Sequence, residues 1–135
     1  MIALDTSGLL ALLDKRDPKH AAAMATFDPD PGPYLVPAAT LGEIGYFAGR
    51  LLGGAALDAF LADLEGGALT LDCGDEDLGR VRELARRYDD LPLGLVDAAV
   101  IACAERNGGR VLTFDLRHFG VVAREGTISI VPDPL

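Results

Sequence analysis

The sequence predicts an α/β fold, a three-layer α/β/α sandwich around a five-stranded, mainly parallel sheet. Short β-branched or leucine-rich runs alternate with longer helical patterns along the whole chain, as in folds built from β-α units. The strand-like runs also lack a regular apolar-polar alternation. That pattern is typical of strands that are covered by helices on both faces of a sheet.

The individual elements can be assigned in chain order. The predicted strands are Met1–Leu4, Tyr34–Val36, Ala68–Leu71, Arg110–Phe114 and Thr127–Val131. The predicted helices are Ser7–Leu13, Pro18–Phe27, Leu41–Leu52, Ala55–Glu65, Asp75–Tyr88 and Leu95–Asn107. Glycine pairs follow several of these helices and are typical of helix ends, because glycine adopts the left-handed C-cap conformation at little cost. With no internal repeat and no shift in composition, residues 1–135 are predicted to form one domain.

The composition indicates a folded protein outside the membrane. Half of the residues are apolar and 24% are charged, which is ordinary for a globular chain. No run of about 18 uncharged apolar residues could cross a bilayer, and the apolar start of the chain contains Asp5 with no basic residue before it, unlike a secretory signal. We therefore expect a soluble, cytoplasmic protein. Cys73 and Cys103 lack the paired spacing of a zinc site and are predicted to be buried free thiols.

The net charge of the chain is −9, from 12 basic and 21 acidic residues. This balance repels nucleic acid at long range, unless metal ions or a local basic surface override it. One bound divalent ion would change the net charge only to about −7. A nucleic-acid enzyme with this composition would need its metal and a few local cations to bind substrate.

Two aspartates directly follow predicted strands. Asp5 comes after the first strand and Asp115 after the fourth. In a parallel sheet, ligands bind at the carboxyl ends of the strands, so the two carboxylates would lie side by side if these strands are neighbours. Two such charges about 4 Å apart repel by roughly 4 kcal/mol at an effective dielectric near 20. Oxygen ligands of this kind suit Mg²⁺ or Mn²⁺ better than zinc.

Each candidate acid also has an interpretation without function. Asp97 falls in the first turn of the longest apolar helix, where the helix dipole favours a carboxylate. Glu43 completes the pattern Thr40-Leu41-Gly42-Glu43, which fits a capping box in which the glutamate bonds back to the cap residue. Asp5 and Asp115 could be N-caps, the latter of a short turn at Leu116–Phe119. No single acid decides between a metal site and helix capping.

Taken together, the motifs resemble a known family. They are Asp5-Thr6-Ser7, Glu43-Ile44, Leu91-Pro92-Leu93-Gly94-Leu95-Val96-Asp97-Ala98 and Thr113-Phe114-Asp115-Leu116-Arg117-His118-Phe119. In this order and spacing the chain resembles the PIN domain family almost end to end. The resemblance is closest to the toxins of bacterial and archaeal VapBC toxin-antitoxin pairs.

This resemblance implies an activity and partners. It implies a PIN-like fold in which the four acids converge on one or two Mg²⁺ or Mn²⁺ ions and cleave RNA as an endoribonuclease. Asp5 and Asp97 would be the principal ligands, and Asp115 and Glu43 direct or water-mediated ones, with Glu43 as an alternative orienter of the attacking water. It also implies a VapB-type antitoxin, usually with a basic DNA-binding portion, and a homodimer.

Other residues near the acids have weaker assignments. Thr6, Ser7 and Thr113 carry hydroxyls that could hydrogen-bond to the acids, although local capping explains each of them equally well. Arg117 and His118 follow Asp115 and could reach a phosphate beside the metal, or could brace the turn. These five residues are predicted to surround the acids rather than to be metal ligands.

Two other function classes compete with a nuclease as interpretations of the sequence. A phosphatase of the haloacid dehalogenase type needs a second acid two residues after the first aspartate, and Ser7 stands there. A non-catalytic interaction module, in which the acids are caps and an apolar face binds a protein, remains the alternative. The apolar side chains for such a groove, which could equally be core, are Ile44, Tyr46, Phe47, Leu51, Leu52, Leu57, Phe60, Leu61 and Leu64.

Overall fold

The computed structural model describes residues 1–134. Within these residues the strands are β1 (Ile2–Leu4), β2 (Tyr34–Pro37), β3 (Thr70–Asp72), β4 (Arg110–Leu112) and β5 (Ser129–Val131). The α-helices are α1 (Thr6–Leu13), α2 (His20–Phe27), α3 (Leu41–Leu51), α4 (Gly54–Gly66), α5 (Leu78–Arg87), α6 (Leu95–Arg106) and α7 (Leu116–Ala123). Short 3-10 turns at Ala38–Thr40 and Asp75–Asp77 precede α3 and α5.

The strands form a single sheet in the order β3-β2-β1-β4-β5. All four neighbouring pairs are parallel, so the predicted parallel sheet is confirmed. β1 lies at the centre and pairs with β4 in the register Ala3 with Val111 and Leu4 with Leu112. The residues that follow these two strands therefore emerge beside each other at the carboxyl edge of the sheet.

Helices cover both faces of the sheet, as predicted for a three-layer fold. On one face, Ile2 and Leu4 of β1 pack with side chains of α1, α3 and α4 around Phe60. On the other face, Ala3 packs with side chains of α5, α6 and α7 around Phe119. The alternation along β1 divides its side chains between two apolar cores, because successive residues of a strand point to opposite faces.

Several predicted element bounds were wrong. The chain after Asp115 forms the two-turn helix α7 (Leu116–Ala123), not a short turn, and it buries Phe119 and Val122. The helix predicted over Asp75–Tyr88 begins only at Leu78, because the three preceding acidic residues form a 3-10 turn. For α7, the burial of Phe119 and Val122 explains why the chain continues as a helix.

The two cysteines differ in environment. Cys103 is buried, as predicted, whereas the prediction for Cys73 was wrong because its side chain is exposed. Cys73 follows β3, an edge strand whose Thr70 and Leu71 are also exposed. Among residues 1–134, no helix combines the length and apolar character needed to span a bilayer.

Candidate active site

The register between β1 and β4 brings Asp5 next to the segment 113–115. The amide of Asp5 donates to the carbonyl of Leu112 at 3.1 Å. The hydroxyl of Thr113 donates to Asp5 Oδ2 at 2.8 Å and accepts from the amide of Asp115 at 3.0 Å. Thr113 therefore links the two aspartates that follow the central strands.

Asp5 is held rigidly and is almost fully buried, with 4% of its surface exposed. Its Oδ2 also accepts from the hydroxyl of Ser7 at 2.9 Å, and that hydroxyl in turn accepts from the amide of Phe114. Burial raises the pKa of the Asp5 carboxyl above its ordinary value of 3.8, although the hydrogen bonds from Thr113 and Ser7 oppose this. Asp5 occupies the N-cap position of α1 but makes no capping hydrogen bond, so the capping interpretation was wrong.

Glu43 contacts the site through Thr6 instead of capping its own helix. The Thr6 hydroxyl donates to Glu43 Oε1 at 2.7 Å, across 37 residues of sequence. The hydroxyl of Thr40 donates to the carbonyl of Pro37 at 2.8 Å and makes no cap bond to α3. The capping box predicted from Thr40 and Glu43 was therefore wrong.

The closest group of potential ligands contains a histidine. Oxygens of Asp97 and Asp115 and a ring nitrogen of His118 all lie within 4.8 Å of one another, and no other such group of three acids, histidines or cysteines was found within residues 1–134. His118 Nδ1 is 3.2 Å from Asp97 Oδ2 and 3.0 Å from Asp115 Oδ2. Asp5 and Glu43 lie outside this group but line the same pocket of about 370 Å³.

The hydrogen bonds of His118 require a shared proton or a cation. Its Nε2 lies 3.1 Å from the carbonyl of Leu91, which can only accept, so Nε2 must carry a hydrogen. Its Nδ1 then faces two carboxylates, and these contacts are favourable only if a proton sits on Nδ1 or on one of the carboxyls. A metal ion could take the place of that proton, because the lone pair of Nδ1 and the carboxylate oxygens are all ligating atoms.

Comparison with known proteins assigns the chain to a family. A model of the PIN domain matches residues 2–125. The chain belongs to the PIN domain family. This confirms the resemblance seen in the sequence motifs.

Relatives and solved structures agree with this PIN domain assignment. Ribonuclease VapC26 of Mycobacterium tuberculosis is 32% identical over 133 residues, which are 96% of this chain and 98% of that protein. The crystal structure of VapC20 of M. tuberculosis, a Sarcin-Ricin loop cleaving toxin, has a TM-score of 0.78 at 24% identity and covers 90% of this chain and 95% of its own. The structure of FitAcB from Neisseria gonorrhoeae has a TM-score of 0.63 at 18% identity, with 96% of each chain covered. The two structural likenesses establish the fold.

Four of the five residues predicted to surround the acids of this PIN domain contact them in the structure. Thr6, Ser7 and Thr113 all donate hydrogen bonds to the acids. Arg117 is exposed and does not line the acidic pocket. His118 contacts two of the acids directly, from a helix that the sequence analysis took for a turn. As a helix, α7 carries Asp115 at its N-cap and His118 three residues on, where the two side chains meet.

The electrostatics of the PIN domain pocket are unfavourable without a cation. Burial raises the pKa of Asp97 to about 6, from an ordinary value of 3.8, and the charges of Asp5, Asp115 and Glu43 add to this while His118 opposes it. Asp115 also caps α7, since its Oδ1 accepts from the amide of His118 at 3.3 Å. The capping interpretation therefore holds for Asp115 alone among the acids with a proposed capping role.

The raised pKa of Asp97 leads to a prediction about stability without metal. A carboxyl whose pKa is raised on folding stabilises the fold at acid pH, and this contribution is lost as pH rises from 3.8 through about 6. In EDTA, Asp97→Asn should therefore be more stable than the parent at pH 7.5, by about 1 kcal/mol after allowing for partial exposure of the carboxyl. The gain should be much smaller at pH 4. Thermal unfolding at both pH values would measure this, and a gain independent of pH would contradict it.

Proposed function

We propose that this PIN domain is a divalent-metal-dependent endoribonuclease and the toxin of a type II toxin-antitoxin pair. The observation that carries the proposal is the group of Asp97, Asp115 and His118 within 4.8 Å, in a pocket that also contains Asp5 and Glu43. The family match over residues 2–125 and a relative named as a ribonuclease support RNA as the substrate.

The residues of the pocket fit a divalent ion. Asp97 and Asp115 would hold it, and His118 Nδ1 or the more distant Asp5 would complete its protein ligands. The raised pKa of Asp97 supports this, because neighbouring carboxylates that resist ionisation together are stabilised by a cation. When bound, such an ion supplies a water of lowered pKa and stabilises negative charge on the phosphate oxygens.

The surrounding hydroxyls orient the acids. Thr113 and Ser7 both donate to the same oxygen of Asp5, which fixes that carboxylate in one rotamer. Thr6 does the same for Glu43, whose second oxygen is then available to accept a proton or to orient a water. Glu43 would thereby offer a proton acceptor, and Asp5 a fixed carboxylate, on the wall of the pocket.

The choice of metal follows from the donor set. Carboxylate oxygens suit Mg²⁺ and Mn²⁺ alike, whereas an imidazole nitrogen is a better ligand for Mn²⁺ than for the strictly oxygen-preferring Mg²⁺. We therefore propose that the site holds one Mn²⁺ or Mg²⁺ ion and binds Mn²⁺ more tightly. We also propose that the protein acts in the cytoplasm. A second ion would need ligands from Asp5 and Glu43.

A partner surface is proposed on α3 and α4. Tyr46, Phe47, Leu51 and Leu61 are 55%, 38%, 60% and 50% exposed, an unusual density of apolar surface for one helix pair. Other members of the predicted groove belong to the core, among them the buried Ile44 and Phe60. Because Phe47 also lines the acidic pocket, an antitoxin helix on this surface would lie next to the site. Its basic portion would complement the acidic chain. Homodimerisation stays a prediction from the family.

A metal titration tests the proposal. Mn²⁺ should raise the thermal unfolding temperature of the parent chain, because a ligand that binds only the folded state stabilises it by mass action, by about 2.7 kcal/mol at 100 times the dissociation constant. The rise should largely disappear in Asp97→Asn. Differential scanning fluorimetry over a range of MnCl₂ concentrations would measure it.

The matched control for this titration is Asp58→Asn, which removes an exposed acid on α4 away from the pocket. Its response to Mn²⁺ should equal that of the parent. A non-catalytic interaction module predicts no stabilisation in any of the three proteins. RNA cleavage that continues in excess EDTA would also contradict the proposed mechanism.

A further inference from the structure

A second cavity lies next to the acidic pocket. It measures about 250 Å³, and the residues around it include Lys19, Thr113, Phe114, Leu116, Pro132 and Asp133. The volume is below the range of about 300 to 1,000 Å³ typical of drug-sized ligands and is suited to one planar ring system. Its walls are an aromatic ring, aliphatic side chains, one ammonium group and one carboxylate.

This cavity is joined to the acidic pocket through a rigid segment of backbone. Phe114 lies between Thr113, which bonds to Asp5, and Asp115, which is part of the candidate metal group. The amide of Phe114 itself donates to Ser7 Oγ at 3.0 Å. Phe114 is therefore fixed in the chain between a residue that holds Asp5 and a residue of the candidate metal group.

The chemistry of the cavity matches a nucleotide. The ammonium group of Lys19 lies 5.8 Å from the centroid of the Phe114 ring, near the outer limit of a cation-π contact. An aromatic ring stacks a nucleobase without sequence preference, and a nearby lysine attracts the phosphate attached to it.

Few cationic side chains lie near the acidic pocket, so Lys19 is a stronger candidate for binding a substrate phosphate. No lysine or arginine lines that pocket among residues 1–134. Among the described residues, five arginines are engaged in ion pairs with acids of the chain, namely Arg16, Arg80, Arg87, Arg106 and Arg110. Lys19 at this cavity could therefore supply a cation to a substrate phosphate beside the site.

We infer that this cavity binds a base of the RNA adjacent to the scissile phosphate, by stacking on Phe114, with Lys19 on the flanking phosphate. The inference rests on the proposed ribonuclease function and adds to it a subsite for a single-stranded nucleotide. Phe114 is connected to the acids through its chain neighbours Thr113 and Asp115. A base stacked on Phe114 would therefore determine which phosphodiester bond enters the acidic pocket.

Equilibrium binding of two fluorescent octamers tests the subsite. One octamer is a single-stranded RNA of mixed sequence, and the other has the same backbone with abasic residues. Binding of each is measured by fluorescence anisotropy in CaCl₂ at low salt, and the RNA is checked afterwards for cleavage. Phe114→Leu should weaken binding of the normal octamer by about 5- to 100-fold, the range for loss of one stacked base. It should leave binding of the abasic octamer unchanged.

The lysine variants complete the test. Lys19→Gln should weaken both octamers several-fold and lower the salt dependence of binding by about one counterion. Lys15→Gln, which removes another exposed lysine not on the cavity, should bind as the parent does. If Phe114→Leu does not fold, the Lys19→Gln variant still tests the subsite. An RNA affinity of Lys19→Gln equal to that of the parent would exclude the subsite.

The outcomes separate this subsite from the ribonuclease function itself. If the parent chain cleaves RNA and Phe114→Leu affects both octamers equally or not at all, the subsite is excluded and the function stands. If the parent neither binds the normal octamer nor cleaves RNA, both are excluded. Retained Mn²⁺ stabilisation of Phe114→Leu would establish that its binding loss does not arise from a damaged acidic site.

Discussion

Asp97→Asn is expected to reduce RNA cleavage by more than about 100-fold. Mutation of residues that only hydrogen-bond to a metal ligand typically lowers metal affinity or activity about 10- to 100-fold. Removal of a ligand itself should have a larger effect. Asparagine keeps the size of the side chain and one oxygen but removes the charge. Cleavage of a structured RNA in excess MnCl₂, with rates from initial time points, would measure the loss.

The control and the contradictory outcome for Asp97→Asn are well defined. Asp58→Asn, which makes the same chemical change on an exposed helix, should cleave at the parental rate. Asp97→Asn should also be folded, and more stable than the parent at neutral pH without metal, so its inactivity cannot be explained by unfolding. Cleavage within tenfold of the parent would exclude Asp97 as a ligand.

Asp97 is a better test position than Asp115. Asp115 caps α7 through the amide of His118, so its replacement would change both the helix and the site. Asp97 lies in the first turn of α6, where the dipole favours its charge, yet burial and neighbouring acids raise its pKa to about 6. A helix N-terminus contributes about 1 kcal/mol at most to such a charge at the surface. The pocket therefore opposes the charge more strongly than the helix favours it, as is typical of a functional site.

The proximity of two of the acids could be predicted, because residues that follow neighbouring parallel strands lie at the same edge of the sheet. Asp5 and Asp115 each follow a strand, and the pairing of β1 with β4 brings these strand ends together. Glu43 could not be placed in the same way. Its local pattern favoured a capping box, and only the fold brings Thr6 within 2.7 Å of its carboxylate. A contact across 37 residues has no local signature.

The predicted fold was correct in its layers and wrong in some elements, for identifiable reasons. Long apolar periodic segments such as α6 were recognised because burial determines nearly every position in them. The helix α7 was missed because it has only eight residues, two of them fully buried, and follows an aspartate and threonine that also fit a turn. That error hid the relation between Asp115 and His118. A short helix of this kind is stabilised by packing of Phe119 against the core, which no local pattern reveals.

Gly8→Ala is expected to destabilise the fold by about 3 kcal/mol and to lower the unfolding temperature by about 10 °C. Gly8 lies on the buried side of α1, and a methyl group there would stand 2.3 Å from the carbonyl oxygen of Leu112 and 2.9 Å from its carbonyl carbon. Both atoms belong to the backbone of β4 and cannot move without displacing the strand. The intrinsic gain of alanine over glycine in a helix, about 1 kcal/mol, is too small to compensate.

The same substitution should reach the acidic site, because the carbonyl of Leu112 also accepts the amide of Asp5. A displaced α1 would move Asp5 and Ser7 away from Thr113, so the response to Mn²⁺ should weaken together with stability. Gly49→Ala is the matched control, since a methyl group at that exposed helical position meets nothing within 4 Å, and it should stabilise the fold by about 0.5 to 1 kcal/mol. Thermal unfolding of both variants, with and without MnCl₂, would measure these effects. If Gly8→Ala were as stable as Gly49→Ala, the close packing of α1 on β4, and with it the fixed position of Asp5, would be disproved.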